Sequence, residues 1–324
     1  MRTLLLEKEP SMNFKQLALI VLVIFGSARP AFALNILLTN DDGLTSNLKA
    51  LYDALRADGH DVIVSVPCTG QSGRGAGIVM YSTTTIITDN DKTQIEAEGG
   101  CHNGAAPTGA PAVGPFIKPG YADYYYVHGT PVLAALYGLD VLAPARWNKA
   151  PDLVLSGPNE GQNVGKIVNS SGTVSNAQIA ASRGLPAIAV SAGVDTVDNV
   201  TLANPNSAIV AKLTLKLLAT LQRHRPLLPE GLALNVNVPD KPTTELAFAF
   251  SRFGSYDGYK LSFKGTAPFG LQFGANTEAP APEQAEDEAV VYKTKVSVTA
   301  MQVGFEQRPS GQLWLWHRLR DLFR

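Results

Sequence analysis

The stretch Asn35-Ile-Leu-Leu-Thr-Asn-Asp-Asp-Gly43 joins a short apolar run to a turn that holds two adjacent carboxylates. The run at residues 36–38 is typical of a buried strand. A helix is predicted after the turn, because apolar residues recur there with helical spacing: Leu48, Leu51, Tyr52 and Leu55. A strand, a turn and a helix in this order place Asp41 and Asp42 at the carboxyl edge of a parallel sheet, where open α/β folds bind ligands.

The adjacent carboxylates of Asp41 and Asp42 repel each other, so burial of both requires a cation. Oxygen ligands of this kind suit hard divalent ions such as Mg²⁺, Mn²⁺ or Ca²⁺. The alternative is a solvated Asp-Asp-Gly turn, since Asp and Gly favour turns for conformational reasons of their own.

Composition limits the number of domains and the classes of partner. The chain has 324 residues, of which 45% are hydrophobic and 17% charged, enough for one large α/β domain or at most two domains. Its net charge of -1 provides no basic field, so no stable nucleic-acid partner is expected. Cys68 and Cys101 are too few for a disulfide scaffold and too far apart for a compact zinc knuckle.

The N-terminus has the order of a secretory signal peptide. Lys15 precedes an apolar run from Leu17 to Phe25, and the small-residue triplet Ala31-Phe32-Ala33 follows, so cleavage is expected after Ala33. A membrane anchor is the less favoured alternative, because a spanning helix needs about 20 apolar residues. Export to the periplasm or the exterior would permit a disulfide, although the sequence leaves the pairing of the two cysteines open.

Strand and helix patterns alternate from Asn35 onward, which predicts an α/β fold with a doubly wound, mainly parallel, Rossmann-like sheet. Residues 34–306 are predicted to form this domain. Within it, residues 241–306 form a smaller C-terminal β-rich portion or oligomerisation arm, with short strands at 290–293 and 296–300. Further strands are expected near 61–66, 124–128, 152–156, 187–190 and 233–238, and helices at 131–142, 171–183 and 207–223.

Two segments lie outside this alternation. Residues 98–120 are rich in Gly, Ala and Pro and are predicted to form a long surface loop. The tail at 307–324 is basic and aromatic; a short helix packed on its own domain is favoured over contact with a membrane or a partner.

Polar turns follow the predicted strands or open a helix. Besides the two aspartates, they comprise Gly70–Gly75, Gly157–Asn163 and Ser171–Thr173, which the sheet would bring to one edge. Asp, Ser and Asn oxygens suit a hard cation. A helix that opens on Ser-Gly-Thr offers N–H groups, hydroxyls and a dipole end to a phosphate, although a plain N-cap is the alternative for each hydroxyl.

With these turns the chain resembles the SurE family of nucleotide phosphatases. The resemblance runs in order from Leu34 to Phe305 and depends on six motifs: Asn35 to Gly43, Gln71-Ser-Gly73, Gly129-Thr-Pro131, Ser156-Gly-Pro-Asn-Glu-Gly-Gln-Asn163, Ser171-Gly-Thr-Val174 and Leu234-Asn-Val-Asn-Val-Pro-Asp240. It implies one divalent cation per subunit, a homo-oligomer (a dimer or tetramer), and hydrolysis of nucleoside monophosphates to nucleoside and phosphate.

The resemblance also implies roles for particular residues. The metal ligands would be Asp41, Asp42, Ser72 and Asn159. The phosphate would lie against the helix start, with one further asparagine beside it: Ser171, Gly172, Thr173 and Asn163. Of the two aspartates, one would ligate the metal while the other orients the attacking water or takes its proton; the sequence does not distinguish them.

The chain departs from the family pattern in three places. Val132-Leu-Ala-Ala135 replaces the usual polar residues after Gly-Thr-Pro, residues 98–120 look like an insertion, and the export signal is unusual. Two functional alternatives therefore remain: an exported phosphate- or nucleotide-binding protein without turnover, and a broad-specificity acid phosphatase. A dinucleotide-binding Rossmann domain is disfavoured, because no G-x-G-x-x-G follows the first strand.

Overall fold

The computed structural model describes residues 33–85, 99–198, 200–266, 270–304 and 309–322. The predicted signal peptide lies outside these residues apart from Ala33, as does Glu98 at the start of the predicted surface loop. The described chain from Ala33 onward forms one unit.

Eleven strands make up two sheets in the described residues. The large sheet contains β1 (Asn35–Thr39), β2 (Asp61–Pro67), β3 (Val113–Pro115), β4 (Tyr124–Val127), β5 (Leu153–Glu160), β6 (Ala187–Ala192), β7 (Leu232–Asn237), β8 (Phe248–Ser251) and β11 (Val296–Gln302). The other two form an antiparallel hairpin, β9 (Tyr259–Lys264) and β10 (Gly270–Ala275).

The strand order of the large sheet is β3-β4-β2-β1-β5-β6-β7-β11-β8. The run from β4 through β7 is parallel throughout, whereas β3 and β11 lie antiparallel to their neighbours β4 and β7. The chain travels outward in one direction from β1 and in the other from β5, so a topological switch point falls between these two strands. The predicted doubly wound, mainly parallel sheet is confirmed.

Seven helices accompany the strands in the described residues: α1 (Ser46–Ala57), α2 (Pro131–Tyr137), α3 (Ala143–Trp147), α4 (Gly172–Ser182), α5 (Pro205–Leu221), α6 (Glu288–Val291) and α7 (Pro309–Leu319). Along β1, Ile36 and Leu38 join one core cluster with α1 and α5, while Leu37 joins a second with α4. Successive side chains of a strand point to opposite faces, so helices cover both faces of the sheet. No helix of the described chain combines the length and apolarity needed to span a bilayer.

Two predicted elements were wrong in detail. The helix that begins at Pro131 does not run unbroken to residue 142, because a wider π turn at Gly138–Leu142 separates α2 from α3. Residues 290–293 were predicted as a strand from their valines, yet α6 begins at Glu288 and the backbone N–H groups of Val290 and Val291 donate to the carbonyl of Asp287. Tertiary contacts there override β propensity.

The segment predicted as a long surface loop is partly built into the domain. It supplies the edge strand β3, and both Cys101 and Phe116 are buried. Cys101 forms a disulfide with Cys68, with Cα atoms 4.5 Å apart, which settles the pairing that the sequence left open. The composition of the segment indicated turns correctly but gave no sign of this burial.

The predicted packing of the tail helix was also wrong for the described side chains. Helix α7 forms, but Trp314 is 65% exposed and Leu313 58% exposed. The basic and aromatic pattern therefore marks an exposed helix in this structure.

A buried carboxyl group links the C-terminal region to the central sheet. Glu288 accepts hydrogen bonds from Gly165 N at 2.9 Å, from Asn235 Nδ2 at 3.0 Å and from Thr299 Oγ1 at 2.8 Å. Burial outweighs these donors and raises the pKa of Glu288 to about 7. The group thus has a cost to folding near neutral pH that disappears when it is protonated.

We expect Glu288→Gln to remove one component of the pH dependence of stability. The folded pKa of about 7 exceeds the ordinary value of 4.5, so the stabilising contribution is complete below pH 4.5 and is lost as the pH rises through 7. Through this group the unfolding free energy of the natural protein should fall by on the order of 3 kcal/mol across that window.

Urea unfolding of the natural protein and the Gln variant at several values between pH 4.5 and 8 measures the effect. Asp41 and Asp42 titrate in both proteins and cancel in the comparison. Two parallel stability profiles would show that folding does not raise the pKa of Glu288, contrary to this expectation.

Candidate metal and phosphate site

The two aspartates lie at the carboxyl end of β1, beside the switch point of the sheet. Asp41 is 3% exposed and Asp42 4% exposed, so the solvated-turn alternative is wrong. The hydroxyl of Thr173 donates to Asp41 Oδ1 at 2.5 Å and lies 3.0 Å from Asn159 Oδ1. The Thr173 hydroxyl at the start of α4 therefore contacts both Asp41, on the turn after β1, and Asn159, at the end of β5.

Asp42 has its own contacts with two other turns. Ser72 Oγ lies 3.4 Å from Asp42 Oδ1, and the backbone N–H of Glu160 donates to Asp42 Oδ2 at 3.3 Å. The structure therefore brings together the four residues predicted as metal ligands, on turns that follow β1, β2 and the bulged end of β5.

The end of β5 is bent so that Asn159 points toward the aspartates. The pairing of β5 with β6 shifts register between Ser156 and Asn159, which marks a bulge. Gly157 has a φ of 109°, and a Cβ there would lie 2.1 Å from the carbonyl oxygen of Val190, so only glycine fits. The Asn159 amide donates to the carbonyl of Gly161 at 2.8 Å, which fixes its oxygen toward Thr173.

Helix α4 begins directly against the aspartate turn. Ser171 is its N-cap, and its Oγ accepts from Val174 N at 3.1 Å. A Cβ at Gly172 would lie 2.6 Å from Asp41 Cβ, so the first turn of the helix approaches the carboxylate as closely as a residue without a side chain permits. The positive dipole end of α4 therefore faces this site, and the backbone N–H groups of Gly172 and Thr173 donate to the carboxylate of Asp41.

Asn163 is held by neighbouring strands. Its side-chain amide donates to Ser191 Oγ at 2.9 Å, and its backbone N–H donates to Asn237 Oδ1 at 2.8 Å. Its carbonyl oxygen accepts from Asn235 at 2.8 Å. These bonds anchor the loop after β5 to β6 and β7; contact of Asn163 with a phosphate stays a prediction.

The site is strongly acidic. Burial raises the pKa of Asp41. Burial, the charge of Asp41 and the charge of Glu160 raise the pKa of Asp42 well above its ordinary range. No described Lys or Arg forms an ion pair with either aspartate. Crowded, buried carboxylates without a counter-charge are unfavourable, and a bound cation would relieve the repulsion.

The donor set fits a hard divalent cation. It consists of two carboxylates, one amide oxygen and one hydroxyl, the oxygen ligands typical of Mg²⁺ or Mn²⁺ sites that retain water. No cluster of three or more His, Cys, Asp or Glu side chains suited to a metal occurs in the part of the chain that is described, and the carboxylates of this donor set number two.

Two nearby residues were missed by the sequence analysis. Glu160 stood in the motif Ser156–Asn163 without a role, yet its charge acts on Asp42. The ring Nδ1 of His102 lies 3.0 Å from the backbone oxygen of Asp42, although this residue falls in the segment predicted as a surface loop. Only a disulfide between Cys68 and Cys101, assumed from the sequence, would have predicted that the neighbouring His102 lies at this edge of the sheet.

A cavity of about 370 Å³ opens beside the residue that precedes the N-cap of α4. Its walls are mainly apolar, with an ion pair at 2.7 Å between Lys166 Nζ and Asp257 at the surface. The lining residues are Val164, Lys166, Ile167, Asn169, Ser170, Asp257, Tyr259 and Leu261.

Comparison with known proteins gives a consistent result. The family described as Survival protein SurE matches residues 36–258. An acid phosphatase of Yarrowia lipolytica is 36% identical over 214 residues, which cover 63% of this chain and 56% of that protein. A protein named 5'-nucleotidase SurE from Methanocella arvoryzae is 31% identical over 280 residues, covering 83% of this chain and 91% of its own.

A solved structure shows the same fold. The SurE protein of Aquifex aeolicus superposes with a TM-score of 0.61 at 24% sequence identity, and the match covers 88% of this chain and 99% of that one. The chain spans about half of the Yarrowia protein but nearly all of the archaeal and Aquifex proteins.

We expect Gly172→Ala to destabilise the protein, although alanine is normally the better helix former by up to about 1 kcal/mol. The new Cβ would lie 2.6 Å from Asp41 Cβ and 2.8 Å from Pro131 Cγ, so either the helix or the aspartate turn must move. Such overpacking costs about 1–3 kcal/mol, measurable by urea unfolding.

Gly265→Ala is the matched control, because a Cβ at that position meets nothing within 4 Å. Equal unfolding midpoints for the two variants would contradict the close approach of α4 to Asp41.

Proposed function

The chain belongs to the SurE family, and we propose that it is a divalent-metal-dependent phosphomonoesterase that hydrolyses nucleoside monophosphates to nucleoside and phosphate. The observation that carries this proposal is the hydrogen bond from Thr173 to Asp41, which joins a phosphate-type helix start to a carboxylate pair. Relatives named 5'-nucleotidase and acid phosphatase support an enzyme of this class over a binding protein without turnover.

One cation per subunit would be held by Asp41, Asp42, Ser72 and Asn159. When bound, it supplies charge neutralisation for the phosphate oxygens and Lewis acidity at the reacting phosphorus. Whichever of Asp41 and Asp42 is less engaged by the metal orients the attacking water and accepts its proton.

The start of α4 binds the phosphate. Ser171 uses a lone pair for the N-cap bond to Val174, so its hydroxyl proton remains available to a phosphate oxygen. The dipole of α4 adds further stabilisation of negative charge. The N–H groups of Gly172 and Thr173 donate to Asp41, so they would have to be shared with, or released to, a phosphate oxygen. We place Asn163 at the border of this subsite, fixed by its bonds to β6 and β7.

The site is expected to select the leaving group less strictly than the phosphate. The mainly apolar cavity beside Ser170 offers a nucleoside few buried partners for its base edges. Strong rejection of a wrong base requires such partners to be left unpaired, so discrimination here should be weak. Weak discrimination between leaving groups keeps a broad-specificity phosphatase as the second candidate.

The decisive assay measures phosphate release from the four ribonucleoside 5'-monophosphates and from p-nitrophenyl phosphate, with Mn²⁺ or Mg²⁺ present. Nucleotides are expected to exceed p-nitrophenyl phosphate in kcat/KM. Equal values would favour the broad-specificity phosphatase, and no turnover of any ester would leave only the binding protein.

Metal dependence gives a separate prediction. Chelation should abolish hydrolysis and Mn²⁺ or Mg²⁺ should restore it, because buried paired carboxylates cannot approach a phosphate without a cation. Asp42→Asn should lower kcat/KM by at least about 100-fold, the upper end of what loss of a metal's supporting partner costs. Its fold should persist, since the change removes a charge that Asp41 and Glu160 repel.

Asp53→Asn serves as the control, because this aspartate on α1 is 54% exposed in its ion pair with Lys49. Activity that survives exhaustive chelation would refute the metal requirement.

We propose that the protein is exported and cut after Ala33, on the basis of the lysine, apolar run and small-residue triplet that precede it. The Cys68–Cys101 disulfide supports folding in an oxidising compartment. N-terminal sequencing of the protein from its natural host should begin at Leu34; a chain that retains residues 12–33 would count against export.

We further propose a homo-oligomer assembled through the hairpin of β9 and β10. Cross-strand pairs place Leu261, Phe263, Leu271 and Phe273 on one face, while Ser262 and Gln272 share the other. The four apolar side chains are 56–69% exposed. An exposed apolar face of this kind requires a partner, and exchange of an arm between identical subunits is a low-cost solution.

Light scattering at micromolar concentration should give the mass of a dimer or tetramer. Leu271→Glu should shift it to the monomer, whereas Gln272→Glu on the polar face should leave it unchanged. A monomeric natural protein, or equal behaviour of the two variants, would contradict this assembly.

A further inference from the structure

We propose that His102, tied to the core by the Cys68–Cys101 disulfide, is a positioning residue that holds the two aspartates ready for the metal. The inference rests on the proposed function and assigns a purpose to the segment predicted as a surface insertion.

Each of the four successive carbonyl groups from Asp41 to Leu44 accepts a hydrogen bond. One donor belongs to the Ser72 turn: Gln71 N donates to the Asp41 oxygen at 2.7 Å. A second is close in sequence: Asn40 Nδ2 donates to the Gly43 oxygen at 2.7 Å. The turn is therefore fixed at every peptide, with no carbonyl left to rotate freely.

The other two donors come from the insertion. His102 Nδ1 lies 3.0 Å from the Asp42 oxygen, and Asn103 Nδ2 donates to the Leu44 oxygen at 2.5 Å. A carbonyl oxygen can only accept, so the His102 ring carries its proton on Nδ1. Half of the bonds to the turn thus depend on two adjacent residues more than 50 positions away in sequence.

The disulfide fixes these two residues relative to the Ser72 turn. Cys101 immediately precedes His102, and the backbone N–H of His102 donates to the carbonyl of Cys68 at 2.7 Å. Cys68 follows β2 and lies three residues before Gln71, the donor to Asp41. One covalent bond therefore joins the two segments that hold the aspartate turn from outside β1.

The convergence of the two carboxylates explains the need for such a clamp. Asp41 and Asp42 are adjacent and both buried, and two carboxylates can converge on one cation only if the turn that carries them keeps its conformation. Bonds to the carbonyl groups hold that conformation, so the ligands stay converged. Outer partners that orient ligands in this way typically contribute 10- to 100-fold to metal affinity.

Calorimetric titration of Mn²⁺ into the metal-free, full-length protein tests the inference without relying on activity. His102→Ala should raise the Mn²⁺ Kd about tenfold or more. His102→Asn should restore it to within about threefold of the natural value, because its Nδ2 occupies the place of Nδ1. His224→Ala is the control, an exposed histidine far along the chain.

Reduction of the disulfide provides an independent test of the same inference. Treatment with a phosphine reductant should raise the Mn²⁺ Kd of the natural protein in the same direction and leave that of a Cys68→Ser, Cys101→Ser double variant unchanged. At saturating Mn²⁺ the His102→Ala enzyme should recover most of its kcat, as expected of a residue that acts only through the ligands.

The outcomes separate the two proposals. A Kd within twofold of the natural value in both His102→Ala and the reduced protein overturns the positioning role, and so does a lowered unfolding temperature with unchanged Kd. If His102→Ala does not fold, the reduced natural protein decides alone, with near-ultraviolet circular dichroism to verify its fold. A natural protein that neither binds Mn²⁺ nor hydrolyses any phosphomonoester overturns the proposed function itself.

Discussion

The burial of two like-charged carboxylates side by side is the constraint on which the rest of the site depends. Asp41 and Asp42 lie at the carboxyl end of the strand from which the sheet grows in both directions. This position gives them neighbours from turns on both sides: Ser72 beyond β2, and Asn159 at the end of β5. Strands β2 and β5 flank β1 in the sheet, so the strand order itself brings the ligand set together.

Much of this arrangement was predictable, because it depends on local patterns. The apolar run before the aspartates and the alternation of strands with helices indicated the doubly wound sheet, and the sheet edge then predicted the meeting of distant turns. The bulge at Gly157 and the approach of Gly172 to Asp41 are also local in origin, but their geometry is visible only when a neighbouring backbone is present. A sequence pattern does not state distances between segments that pack together.

Two features that the sequence missed are consequences of long-range contacts. Residues 288–291 contain valines that favour a strand, yet three donors fix Glu288 and a helical turn forms around it. The insertion looked like a loop because its composition favours turns, whereas one disulfide and one edge strand make it part of the domain. Such positions are decided by partners more than 30 residues away or on other strands, about which local propensity carries no information.

Residues that stabilise the core and residues that form the site occupy opposite ends of the parallel strands. In β1 the apolar residues 36–38 come first, and the buried polar residues 39–42 occupy its last position and the turn that follows. Strand β5 repeats this order, with apolar residues 153–155 before Ser156 and Asn159, and Ser191 lies near the end of β6. Because parallel strands share one direction, this order collects apolar side chains at the centre of the core and polar ones at a single edge. The same composition in the reverse order would bury those polar groups at the opposite edge, away from the first turns of the helices that follow each strand and away from the dipole end of α4. The order of residues within each strand, as much as their identity, is therefore what turns a stable sheet into a site for an anion and a cation.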